Sequence, residues 1–134
     1  MANECQEPNG DLLLRTMAMP ADTNANGDIF GGWIMSQMDI AGAILAKEIA
    51  RGRTVTVAVD SMKFHKPVQV GDVVCCYGFV DRIGTTSMRL QLEVWVRPVL
   101  HASEKASPRF KVTEAAYTFV AIDEQGKKRP VPRD

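Results

Sequence analysis

The sequence predicts an α+β domain of two layers, with one long helix lying across an antiparallel sheet. Two observations carry this expectation. One proline-free helical stretch runs from Gly31 to about Arg51, and segments rich in β-branched and alternating residues follow it at hairpin spacing. The helix is not part of a repeating strand–helix alternation, so the strands are expected to pair antiparallel rather than through crossovers.

Taken in order, Leu12–Met17 reads as a short first strand. The helix GGWIMSQMDIAGAILAKEIAR is rich in helix formers, and apolar or small residues recur at 35, 38, 42, 45, 46 and 49. Trp33, Ile34, Ala41 and Ile44 widen the apolar surface beyond one stripe, so a single sheet does not fully cover it and a second subunit is expected to. Gly52 is expected to stop it. Thr54–Met62 is β-branched and reads as a strand, and Lys66–Asp72 is a turn-rich connection. Asp72–Ile83 and Thr86–Val99 form a hairpin around Gly84-Thr85. His101–Pro108 is a polar loop and Phe110–Ile122 the last strand. Residues 1–10 read as a polar leader, 11–126 as a single domain, and 127–134 as a basic tail with two prolines that lies extended on the surface.

Composition narrows the function. The 134 residues hold 16 Lys+Arg against 16 Asp+Glu, and a net charge of zero argues against a general nucleic-acid binder. No stretch reaches the roughly 18 apolar residues of a membrane span. The polar, acidic start is unlike a signal peptide, and Cys5, Cys75 and Cys76 suit a reducing, cytoplasmic setting. Neighbouring Cys75 and Cys76 point to opposite faces of a strand, which disfavours a mutual disulfide. With two histidines and no Cys-x-x-Cys, no metal site is expected. His65 and His101 read as turn or surface residues, and no Gly-x-Ser-x-Gly elbow is present.

The chemical signal is the run from Asp22 to Trp33 entering the helix, with Asp39 inside it. Asp39 shares a helical face with Met35, Met38, Gly42 and Ala46, where a carboxylate is costly unless paired or functional. Desolvation suits it to a general base, and hydrogen bonds could keep it charged as a nucleophile. Gly31 and Gly32 at the helix start let a ligand approach free N–H groups at the positive end of the dipole. That suits a phosphate, or a carbonyl oxygen gaining charge. Asn24, in the preceding loop, offers an amide donor and an acceptor, whereas Asn26-Gly27 reads as a simple turn. Asp39 lies eight residues beyond Gly31, about 12 Å along a helix, too far for one carbonyl group to touch both. If both act on one substrate, they come from two antiparallel helices, hence from a two-fold dimer with composite sites.

The segments DTNANGDIFGGWIMSQMD and TVTVAVDSMKFHKPVQVGDVV closely resemble the hotdog-fold acyl-CoA thioesterases, in particular the YciA-like group, over about Leu12 to Pro130. The resemblance implies a central helix wrapped by an antiparallel sheet, dimers that often form a trimer of dimers, and hydrolysis of acyl-CoA to a carboxylic acid and CoA. It implies that Asp39 is the catalytic carboxylate, acting as base or nucleophile. By the same resemblance Asn24 is its partner from the other subunit, and Gly31 or Gly32 polarises the thioester carbonyl. It places pantetheine along Val57-Ala58-Val59, and the CoA phosphates on cations such as Lys66 and Arg89, with Lys63, Arg82, Lys127, Lys128 and Arg129 as further candidates. No cofactor is expected, CoA being part of substrate and product. The rival readings are a non-catalytic acyl-CoA-binding module and an acyl-thioester dehydratase, whose histidine–acid pair the helix motif lacks.

Overall fold

The structure, a computed structural model, describes residues 7–98 and 109–133. Cys5, His101, the polar loop around it and most of the leader lie outside the described residues. Strand β1 (Asp11–Met17) leads through a 3-10 turn into helix α1 (Gly31–Ala50), and β2 (Thr54–Phe64), β3 (Val73–Ile83), β4 (Ser87–Arg97) and β5 (Phe110–Ala121) follow. All pair antiparallel in one sheet of order β1-β3-β4-β5-β2, so β2 leaves its chain neighbour and forms an edge beside β5. No described helix is long and apolar enough to cross a membrane.

Strand alternation sorts β4 cleanly. Met88, Leu90, Leu92, Val94 and Val96 enter the core beneath the helix, and Arg89, Gln91, Glu93 and Trp95 point to the other face. The same alternation separates the thiols, for Cys76 belongs to the core beneath the helix and Cys75 lies buried on the opposite face, and both are free. Burial pushes the Cys76 thiol up to about 12, so it is an inert apolar filler.

The helix buries Ile34, Met38, Ala41, Gly42, Ala46 and Ala50 against the sheet. The packing leaves no room for a side chain at Gly42, where an added Cβ would stand 2.8 Å from the Phe119 ring. Its remaining surface keeps Met35, Ile40 and Ile44 exposed, because one sheet covers one side of a cylinder.

The helix stop differs from expectation. Arg51, not Gly52, takes the left-handed conformation, with φ 56°. Gly52 serves another purpose, because an added Cβ would stand 2.7 Å from the Arg129 guanidinium. Arg129 donates from Nη2 to the Ala50 carbonyl and from Nε to the Ile122 carbonyl, at 2.8 and 2.9 Å, and so caps the helix C-terminus. The tail is accordingly not a free extension: Val131 is buried and its N–H bonds to the Thr85 carbonyl.

Candidate active site

Asp39 projects from the flank of α1 that faces the free edge of the sheet. Thr56, near the start of β2, donates its hydroxyl to Asp39 Oδ1 at 2.5 Å. The other carboxylate oxygen has no partner among the described residues. The bond therefore fixes the carboxylate plane and leaves one oxygen open. Thr56 was not singled out from sequence. It lies in a different element from Asp39, and in a run of β-branched residues nothing marks which threonine turns toward the helix.

Beneath this turn, Tyr117 donates its hydroxyl to the Met35 carbonyl at 3.0 Å, one helical turn before Asp39. Burial, and secondarily the Asp39 carboxylate, push the Tyr117 phenol up to about 12. At neutral pH it is protonated and acts as a hydrogen-bond donor.

The helix start is uncapped. Phe30 supplies no side-chain acceptor, and the first turn holds no acidic residue. The N–H groups of Trp33 and Ile34 reach back to the Phe30 carbonyl, while those of Gly31 and Gly32 have no partner among the described residues. A Cβ on Gly32 would meet nothing within 4 Å, and one on Gly31 would meet only the Phe64 ring at 3.5 Å. Two open N–H groups at a positive dipole end can hold an oxyanion.

The Asn24 loop is built to hold its own shape. Asn24 Oδ1 accepts from the N–H groups of Asn26 and Asp28 at 2.8 and 3.1 Å, and Gly27 takes φ 86° in the turn. The Phe30 N–H bonds to the Asp22 carbonyl, which ties the loop to the helix start. The acceptor of Asn24 is thus consumed by its turn. Its NH₂ group has no partner among the described residues, so the side chain can act outward as a donor only.

The remaining candidates divide. Val57-Ala58-Val59 lies on the open edge strand β2, with Val57 55% exposed. Lys66 follows two residues after Phe64, at the Gly31 end of the site, and its Nζ sits 4.9 Å from the centre of the Phe110 ring. Lys63, Arg82, Lys127 and Lys128 are exposed, and Arg129 is occupied as the helix cap. Arg89 is on the opposite face of the sheet from Asp39, between Met88 and Leu90, and pairs with Asp60 at 3.0 Å and Asp81 at 3.4 Å. A cavity of about 220 Å³ there is lined by Ser61, Lys63, Arg89, Gln91 and Glu114. His65 is exposed and stands 3.3 Å from Glu114. No cluster of three or more metal-ligating side chains occurs among the described residues.

Within one copy, then, the open carboxylate oxygen and the open amides stand about 12 Å apart on one helix. Comparison with known proteins bears on that arrangement. The model of the thioesterase superfamily matches residues 26–100. The acyl-CoA thioester hydrolase YciA of Escherichia coli K12 is 64% identical over 125 residues, spanning 93% of each chain. The crystal structure of HI0827, a hexameric broad-specificity acyl-coenzyme A thioesterase, superposes with a TM-score of 0.88 at 62% identity, covering 96% of this chain and 86% of that one. The hexameric thioesterase y2039 of Yersinia pestis gives 0.87 at 59% identity, covering 96% and 100%.

Proposed function

This chain belongs to the thioesterase superfamily, with its hotdog fold, and on that premise we propose that it hydrolyses acyl-CoA thioesters at sites shared between two copies. The observation that carries the shared site is the separation on α1: an Asp39 oxygen left open by Thr56, and two open glycine amides seven and eight residues earlier. An antiparallel second helix brings the amides of one copy to the carboxylate of the other. The bare helix flank and the uncovered β2 edge leave room for it.

In this reading the thioester carbonyl oxygen accepts from Gly31 or Gly32 N–H. Charge moves onto that oxygen as the carbonyl carbon is attacked, and the helix dipole stabilises it. The open Asp39 oxygen takes the proton of an attacking water, or itself attacks to give an anhydride that water then opens. The C–S bond breaks, CoA leaves as thiolate, and a free carboxylic acid remains. Asn24 of the second copy donates its NH₂ to the water or the carbonyl. Pantetheine follows Val57-Ala58-Val59, and Lys66 meets the phosphates at the Gly31 end. Arg89, facing away and held by two carboxylates, is not given that role. We assign no metal or cofactor, since these groups supply proton transfer and charge stabilisation themselves. The copies assemble as a trimer of dimers, which makes a hexamer, and the relatives of known structure are hexameric. The free thiols Cys75 and Cys76 fit the cytoplasm.

The test is complementation, read as free thiol released from a panel of acyl-CoAs. Asp39→Ala and Asn24→Ala are each expected to fold and assemble with little activity. Mixed after unfolding and refolding together, they should regain part of it, because one hybrid site per dimer is intact. No recovery despite verified mixing would remove the shared site. Full activity of Asp39→Ala would remove the assignment of that residue.

A further inference from the structure

We propose that Arg89 and Asp60, on the face of the sheet away from the helix, are positioning residues for the reaction: their ion pair holds the middle of β2 turned outward between two bulges, and so keeps Thr56 against Asp39. This rests on the reading of Asp39 given above.

β2 does not alternate regularly. In a regular strand every second side chain points the same way, so Thr56, Asp60 and Phe64, spaced by four, would share one face. They do not. Thr56 bonds to Asp39 and is paired with Phe119 of the core, and the Phe64 ring stands under Gly31. Asp60 reaches the other face, where it meets Arg89. Two shifts in the pairing with β5 account for this, one between Thr56 and Ala58 and one between Asp60 and Lys63. Each leaves one extra residue on β2 and turns the strand over. The segment from Ala58 to Asp60 is thus inverted relative to Thr56 and Phe64, which both face the helix.

The second bulge is strained. Ser61 within it has φ 56°, a left-handed conformation that is costly for a residue with a Cβ. Such conformations persist only where their surroundings fix them. The bulge has a regular alternative. Unbroken pairing carried on from Lys63 and Glu114 would set Asp60 opposite Tyr117 and Ala58 opposite Phe119. Ala58 would then take the place of Thr56, and Asp39 would lose the hydroxyl that fixes its carboxylate plane. Asp60 would turn inward.

Two side chains oppose that change. Beyond the bulge, Thr113 donates its hydroxyl to the Lys63 carbonyl. Before it, Arg89 donates from Nη1 to Asp60 Oδ2 at 3.0 Å and holds that carboxylate outward. Arg89 starts on β4 and crosses β5, where Ala116, the partner of Asp60, is small enough to leave it room. Its Nε stands 3.4 Å from Asp81 on β3, and Gln91 donates to Asp81 at 3.2 Å. The clasp therefore ties the edge strand to β3 and β4 across β5. Half-exposed, it adds little to stability. Its contribution is to the register of β2, and through the register to Thr56.

The test is steady-state kinetics beside urea unfolding, on the full-length protein at equal concentrations. Arg89→Gln, too short to cross β5, should lower kcat for acyl-CoA hydrolysis about tenfold, with KM within about twofold of the parent's and a parental urea midpoint. Asp60→Ala should match it, and the double variant should lose no more than either. Thr56→Ala should lose at least as much kcat. Adding Arg89→Gln to it should change kcat by less than about twofold, because the clasp acts through Thr56. Two residues on opposite faces with no shared partner would otherwise combine additively. Three results would each overturn the clasp: parental kcat in Arg89→Gln, a rise in KM alone as loss of a phosphate-binding cation gives, or a full tenfold effect persisting in Thr56→Ala. Full activity of Asp39→Ala would remove the reading of Asp39 and the clasp together. A persisting effect beside an inactive Asp39→Ala would remove the clasp alone.

Discussion

Strands β2 and β4 are each eleven residues long and each pairs antiparallel with β5. Yet β4 buries Met88, Leu90, Leu92, Val94 and Val96, while β2 leaves Val55, Val57, Val59 and Phe64 open. Both are rich in apolar and β-branched residues, so composition does not separate them. Position in the sheet does. The centre of the molecule is finished by its own chain, and in the proposed dimer the flank made of β2 and the outer helix surface is finished by another copy. In that proposal the open Asp39 oxygen lies on the same flank, so completing the fold and completing the site are one event.

The sharpest way to break this contrast is one substitution on each strand. Leu92→Ala should cost about 2–5 kcal/mol, because its side chain is fully buried under the helix. Val57→Ala should change the stability of a single chain by no more than about 0.5 kcal/mol. Its effect should appear in assembly, as a denaturation midpoint that depends more steeply on protein concentration than the parent's. If Val57→Lys stays as fully assembled as the parent, β2 is not the unfinished edge.

Glycines sharpen it next. Gly42→Ala should cost about 1–3 kcal/mol by overpacking, since the new methyl stands 2.8 Å from the Phe119 ring and 3.2 Å from Leu92. Gly32→Ala meets nothing in the lone chain and should leave urea stability unchanged or raise it by up to about 1 kcal/mol. It should nonetheless lower kcat/KM, because the methyl occupies the approach to the open amides. A Gly32→Ala variant with parental kcat/KM would take the substrate away from that end of the helix.

How much of this was readable in the sequence follows the range of each interaction. Periodicity and β-branching place every strand and the helix within a few residues, because those signals are local. The motif around Gly31 and Asp39 is legible for the same reason, as is the 12 Å conflict that requires two helices. Pairing across the sheet is not local. That β2 leaves β3 for β5 is invisible in the run of residues, and with it go the Thr56–Asp39 bond and the facing of Arg89. Strand alternation with Met88 and Leu90 turns Arg89 away from the helix, and the sequence shows that alternation without showing which face holds the site. The tail is a similar case. Its basic residues suggest a phosphate surface, but Arg129 is drawn to the helix C-terminus because Gly52 leaves a gap there.

That gap makes a third, smaller prediction. Arg129→Ala removes two bonds from a charged donor to the carbonyls of Ala50 and Ile122 and should cost about 1–2 kcal/mol. Hydrogen exchange should quicken in the last turn of α1 and not at Asp39. A variant with unchanged exchange at Ala50 would show that the cap is dispensable. Activity should remain near parental, which separates the closed end of the helix from its open one.

The smallest expected effect is at Tyr117, where the finished and unfinished regions touch. Its hydroxyl ties the Met35 carbonyl down, so Tyr117→Phe should cost about 1 kcal/mol at neutral pH. The sign reverses in alkali. Burial raises the Tyr117 phenol from 10.0 to about 12, so the unfolded chain loses this proton before the folded one does. The stabilisation is full below pH 10 and is lost as pH climbs from 10 toward 12. Tyr117→Phe has no such proton, so its urea midpoint should fall less between pH 9 and about 11 than the parent's. Equal slopes would mean that the phenol is ionised at its ordinary value. Water would then reach the phenol beneath Asp39, where Tyr117 packs against Phe119.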